Sequence, residues 1–272
     1  MNKILLTIVF SVLIIAKSFC QTDTAKASFY YRQGIKYNTS RDYKSAIMQF
    51  DSAIVSNPNH LEAYFHRGLV KFSLGDFKGS IIDFSKTIDI NPGFIKAYLS
   101  RGIAKFYLLD YRGAIMDYDK ILLLDPKYTD AYRNRASAEK SSGQYNEAIK
   151  DYYKALSLDP DNSDIYLSIA LAKEYHKDYS GEIEALDHVI KLKPNHTFAF
   201  LLRGNAKRFL NDLDGAIEDF SACILIDPQN KAAYLSRGRV KLAKNDKAGA
   251  CEDWQKAAPL KEAVMLIKEN CK

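Results

Sequence analysis

Small and aromatic residues return along this chain in a fixed phase. With the chain cut into 34-residue units, position 4 reads Tyr30, Tyr64, Tyr98, Tyr132, Tyr166, Phe200, Tyr234. Position 8 reads Gly34, Gly68, Gly102, Ala136, Ala170, Gly204, Gly238, and position 20 reads Ala46, Ser80, Ala114, Ala148, Glu182, Ala216, Ala250. Position 24 reads Phe50, Phe84, Tyr118, Tyr152, Leu186, Phe220, Trp254. Positions 4, 8 and 11 fall on one face of a first helix, and 20, 24 and 27 on one face of a second. Small residues at 8 and 20 let those helices approach closely, and aromatics at 4, 17 and 24 fill the space around the contact. Gly75-Asp76 and Leu109-Asp110 mark the turn between helices. Six of the seven prolines, Pro58, Pro92, Pro126, Pro160, Pro194 and Pro228, stand 34 residues apart and end each second helix.

The units run 27–60, 61–94, 95–128, 129–162, 163–196, 197–230 and 231–264. A single core would not space its prolines this way, so the chain is a repeat array. A 47% hydrophobic and 26% charged composition excludes disorder and a polytopic membrane protein.

A second periodicity concerns charge. Position 7 is arginine in five repeats (Arg67, Arg101, Arg135, Arg203, Arg237). Position 23 is aspartate in the same five (Asp83, Asp117, Asp151, Asp219, Asp253). Repeat one carries Gln33 with Gln49, and repeat five carries Ile169 with Ala185. Charge accompanies charge, amide accompanies amide and apolar accompanies apolar, so each pair is expected to touch between the two helices of one repeat. A guanidinium grips a carboxylate through two hydrogen bonds. Periodic pairs of this kind are structural rather than catalytic.

The two ends differ from the array. Met1-Asn2-Lys3 is followed by an apolar run, Ile4 to Ala16, shorter than the roughly 20 residues of a bilayer span. With Ser18-Phe19-Cys20 ahead of Gln21 it reads as a cleaved signal peptide over 1–20, leaving 21–26 as a short leader. The alternative is lipid anchoring through Cys20. Loss of Lys3 and Lys17 would lower the formal net charge from +6 to +4. With no basic stripe, nothing argues for a nucleic-acid partner. At the other end, Leu260, Ala263, Val264, Ile267 and Cys271 follow Pro259 at helical spacing, giving a capping helix over 260–272 that covers the last apolar face. Chain reversal near Pro259 brings Cys251 towards Cys271, and in an exported protein a disulfide is expected there. Cys223, at core position 27, is expected to be an inert thiol.

The phased pattern resembles the tetratricopeptide repeat family over residues 27–264, with departures at Glu182 and Leu186 and at the end of repeat seven. The resemblance implies an all-α, right-handed solenoid of seven helix-turn-helix repeats whose first helices line a groove for protein partners. Family ligand contacts come from positions 2, 5, 9, 12 and 13. Transferred here, they give a protein-binding groove of Tyr31, Phe65, Leu69, Phe72, Leu99, Ile103 and Phe106, with a polar contact at Arg133 and Asn134. The alternative is that positions 5 and 9 merely pack between repeats. The family's Lys and Asn clamp for chaperone tails is missing, since its positions hold Tyr31 and Ile35, then Phe65 and Leu69.

No phosphate loop, nucleophile elbow, dinucleotide fingerprint or His-Glu-x-x-His motif occurs. The expectation is therefore a non-catalytic scaffold without cofactor or metal. It would be exported to the periplasm or secreted, with no membrane span after signal cleavage, and would bind an unidentified protein. Two other readings stand beside it. One is a homo-oligomeric spacer. The other is an enzyme or small-molecule sensor near repeat five, where His176 and His188 lie.

Overall fold

The computed structural model describes residues 24–271, so the signal peptide expected over 1–20, and Cys20 with it, lie outside the described residues. Among the described residues every regular element is a helix. The first helices of the seven pairs are α1 (24–39), α3 (Leu61–Ser73), α5 (Ile95–Tyr107), α7 (Thr129–Ser141), α9 (Ser163–Tyr175), α11 (Thr197–Phe209) and α13 (Lys231–Ala243). The second helices are α2 (Tyr43–Ser56), α4 (Phe77–Ile90), α6 (Tyr111–Leu124), α8 (Tyr145–Leu158), α10 (Tyr179–Leu192), α12 (Leu213–Ile226) and α14 (Lys247–Ala257). A last helix, α15 (Lys261–Asn270), follows. Residues 24–26, placed in the leader on sequence grounds, already belong to α1. The chain forms two compact units, one ending at Asn134 and the other beginning at Arg135.

The same local chemistry builds each pair. Position 15 is left-handed in all seven repeats, with φ between 57° at Lys177 and 84° at Gly143. Only Gly75 and Gly143 adopt this without a Cβ penalty. The next residue then caps the second helix. Asp42, Asp76, Asp110, Asp178, Asp212 and Asp246 each accept a hydrogen bond from a backbone N–H three residues on. Two histidines serve the first helices in the same way. His60 Nδ1 accepts from the Ala63 N–H, and His196 Nδ1 accepts from the Ala199 N–H.

Position 24 is the core of each pair: Phe50, Phe84, Tyr118, Tyr152, Leu186, Phe220 and Trp254 are buried. The aromatics at position 4 pack beside the core as expected, with Tyr98 buried and Tyr30 and Tyr234 against core clusters, and four of them also support the arginines. Tyr64, Tyr98, Phe200 and Tyr234 lie beneath the guanidinium groups of their own repeats, 5.5–5.6 Å from ring centre to cation.

The terminal cap is tied covalently. Cys251 and Cys271 form a disulfide with Cα atoms 5.8 Å apart, joining α14 to the end of α15. Ala263 is buried against Trp254 and Ala257. Pro259 precedes α15 instead of opening its first turn. Cys223 is a buried free thiol, and burial pushes its pKa up to about 11, so it stays protonated at neutral pH.

Candidate binding cleft

The arginines fix the first helices. Arg67, Arg101, Arg203 and Arg237 each grip the position-23 aspartate through Nε and Nη2 at 2.5–3.0 Å. Arg135 grips Asp151 likewise at 2.6–2.8 Å. Two further features lay outside the sequence reasoning. A lysine at position 11 shares the carboxylate, with Lys71, Lys105, Lys207 and Lys241 all 2.8–2.9 Å from it. The remaining nitrogen, Nη1, reaches position 25 of the preceding repeat: Arg67 to Asp51, Arg101 to Ser85, Arg203 to Asp187 and Arg237 to Ser221. One side chain thus joins two helices and two repeats, which the five-donor fork allows.

The residues of the groove expected over repeats one to four differ in exposure. Phe65 is buried against Phe84 and Phe94 and has no ring face to offer a ligand. Its ring packs within repeat two, on the second helix and on the residue that precedes α5. Tyr31 is half-buried among Phe50, His60 and His66. Leu69, Leu99 and Ile103 are half-buried. Phe72 meets Phe77 and Tyr107 edge-on, and Phe106 meets Tyr111. The polar pair is engaged by its own helix: Arg133 Nη2 donates to Asp130 Oδ1 and Asn134 Nδ2 to the Asp130 carbonyl, both at 2.8 Å.

A more open cleft lies in the second unit. Position 17 of one repeat stacks on position 13 of the next: Tyr145 on Tyr175 at 5.2 Å and Tyr179 on Phe209 at 4.7 Å, both nearly parallel. These rings, with Leu171, Lys140, Glu174 and Lys177, line a cavity of about 720 Å³. Tyr175 and Phe209 stay more than half exposed. Burial lowers the Lys140 pKa, and no carboxylate contributes to that shift. A partly desolvated cation therefore faces an aromatic-walled space. The rings at positions 13 and 17 were visible in the sequence. Their pairing across consecutive repeats was not, because position 17 reads equally well as filler within one repeat. Of the two histidines singled out near repeat five, His176 meets Tyr145 edge-on and His188 stacks on Tyr166 at 4.4 Å. Among the described residues no cluster of three His, Cys, Asp or Glu side chains could hold a metal ion.

Sequence comparison places this geometry in a family. Models described as tetratricopeptide repeat match residues 31–93 and 199–230, and one described as TPR repeat matches 136–174. The chain belongs to the tetratricopeptide repeat family. Solved structures agree with its fold. The C-terminal part of a TPR repeat-containing protein from Cytophaga hutchinsonii is 18% identical with a TM-score of 0.76, covering 86% of this chain and 98% of that one. A tetratricopeptide repeat protein from Parabacteroides merdae is 17% identical with a TM-score of 0.66, covering 91% of this chain and 100% of that one. YrrB, described as a TPR protein with an unusual peptide-binding site, is 23% identical with a TM-score of 0.59, covering 68% and 97%. No curated protein matches. No helix of this TPR protein's described residues is long and apolar enough to cross a membrane.

Proposed function

We propose that this protein is a non-catalytic scaffold that binds a protein segment across the stacked aromatic rings of its second unit. The observation that carries the reading is the cavity walled by Tyr145, Tyr175, Tyr179 and Phe209 with Lys140 at its edge. Flat rings accept apolar side chains and proline, and Lys140 favours a neighbouring carboxylate, so the segment combines apolar residues with an acidic one. YrrB, a TPR protein described as having an unusual peptide-binding site, supports binding of this kind. The setting we propose is the cell envelope or the exterior, after cleavage ahead of Gln21. The Cys251–Cys271 bond supports it, since such bonds persist in oxidising compartments.

The test is selection of a displayed random-peptide library on the wild-type protein, followed by titration of the selected peptides. We expect acidic-apolar consensus peptides whose affinity falls about tenfold or more in Tyr175→Ala and Lys140→Ala, a loss matching one or two good contacts. Peptides that bind both variants as well as wild type would remove the cleft from the reading. The N-terminal residue of the protein recovered from producing cells checks the export reading, which requires Gln21.

A further inference from the structure

The outer faces of the second helices differ between the two units, and the difference is chemical. Positions 18, 22, 26 and 29 of each second helix lie on the side away from core positions 20, 24 and 27. In the first unit position 22 carries Met48, Ile82 and Met116, which are 57%, 68% and 61% exposed. One turn before them stand Lys44, Lys78 and Arg112, and one turn after stand Lys86 and Lys120, all exposed. None of these five cations is in an ion pair within 4.0 Å among the described residues. Position 29 adds Val55 and Leu123, which are 81% and 75% exposed, and one carboxylate, Asp89. In the second unit position 22 reads Lys150, Glu184, Glu218 and Glu252, and the charges over the four positions cancel.

We propose that the outer face of α2, α4 and α6 docks on an anionic lipid bilayer. On α4 and α6 the crest presents an apolar side chain between cations four residues away, and on α2 Lys44 precedes Met48 by the same interval. Such a ridge suits a bilayer surface, which takes apolar tips singly into its interfacial layer while lysine and arginine reach the headgroups. A protein partner would instead need the apolar side chains gathered into a shared patch, and here Lys120 separates Met116 from Leu123 while Ile82 stands between Lys78 and Lys86. With position 25, which lies on the same side beside position 18, the face carries five cations against three carboxylates, Asp51, Asp89 and Asp119, and Asp51 is already paired with Arg67, so the net charge is positive and the complementary surface is negative. This surface shares no residue with the aromatic cleft.

Cosedimentation tests this with protein as isolated from producing cells and vesicles of phosphatidylglycerol and phosphatidylcholine in equal parts, against phosphatidylcholine alone. Expected is binding to the anionic vesicles that weakens with salt and is lost on the neutral ones. Lys78→Glu with Arg112→Glu should cut binding by more than about tenfold, given the worth of each surface cation. Met48→Ser with Met116→Ser should also weaken it, with all five cations kept. Lys150→Glu with Lys154→Glu, on the outer face of the second unit, should leave it unchanged. All of these residues are exposed, and unaltered melting of each variant excludes misfolding as the cause. Equal binding to both vesicle types, or binding indifferent to the first-unit variants, would overturn the proposal. Self-association without lipid that Lys78→Glu with Arg112→Glu abolishes would also overturn it and assign the face to a second copy of this chain.

Discussion

At position 7 the third repeat carries Arg101 and the fifth Ile169, and at position 23 they carry Asp117 and Ala185. In repeat three the guanidinium holds Asp117 at 2.6 and 3.0 Å, Lys105 holds the same carboxylate at 2.8 Å, and Nη1 donates to Ser85. In repeat five Ile169 and Ala185 are both buried, and the pair makes no polar demand. The lysine at position 11 is still present, but with no carboxylate at 23 Lys173 reaches the helix cap Asp178 at 3.1 Å. The comparison teaches that the ionic clamp is one way to fill a site that an apolar pair also fills. Such pairs are expensive to break and nearly neutral to replace whole. Repeat five then departs once more: Glu182 stands at position 20, where the other repeats carry a small residue, and it is buried with Oε2 lacking a hydrogen-bond partner among the described residues.

The sharpest way to break the comparison is to remove one member of the clamp. Arg101→Ala leaves Asp117 buried with Lys105 alone and should lower stability by about 3–4 kcal/mol, read from urea midpoints. Arg101→Ile with Asp117→Ala installs the repeat-five pair and should recover most of that loss. A double variant as unstable as the single one would mean that the arginine matters chiefly for its link to Ser85 in the preceding repeat.

How far the sequence reveals these sites follows from where their partners lie. The helix pairs were legible because burial recurs every 34 residues at the same faces. The Arg–Asp pairs were legible because repeats one and five change both members together. The lysine at position 11 was not, since it stays in repeat five after its aspartate has gone and so carries no signal of pairing. The cleft was partly legible. Tyr175 and Phe209 occupy family contact positions, but the rings stacked on them, Tyr145 and Tyr179, belong to the preceding repeats. Phe65 was expected in the groove and packs on Phe94 at the end of its own repeat, because position 5 looks alike in sequence whether it packs inward or faces outward.

Glu182 gives the next largest effect and marks repeat five off through pH. Burial, with Glu174 and Asp178 nearby, pushes its pKa from 4.5 up to about 8. Between those values the unfolded chain releases this proton and the folded chain keeps it, so stability falls as pH rises through that window. Above about pH 8 the carboxyl is ionised in both states and the penalty is constant. At pH 5 wild type and Glu182→Gln should therefore be nearly equal, and at pH 7 the variant should be more stable by about 2 kcal/mol. Melting curves that shift equally with pH in both proteins would show that Glu182 is ionised throughout and has a partner.

The smallest effect concerns the close approach at positions 8 and 24. A Cβ at Gly102 would stand 2.6 Å from Cε1 of Tyr118, whereas repeat five already pairs Ala170 with Leu186. Gly102→Ala forces the ring aside at a cost of about 2 kcal/mol. A helix interior gains up to about 1 kcal/mol when glycine becomes alanine. The net loss is then about 1 kcal/mol, measurable by thermal melting. Gly102→Ala with Tyr118→Leu copies the repeat-five combination and should be better than the sum of its parts, because leucine lacks the ring atoms that the new methyl meets. Simple additivity of the two changes would mean that helix spacing, rather than the matching of these two side chains, sets the packing of a repeat.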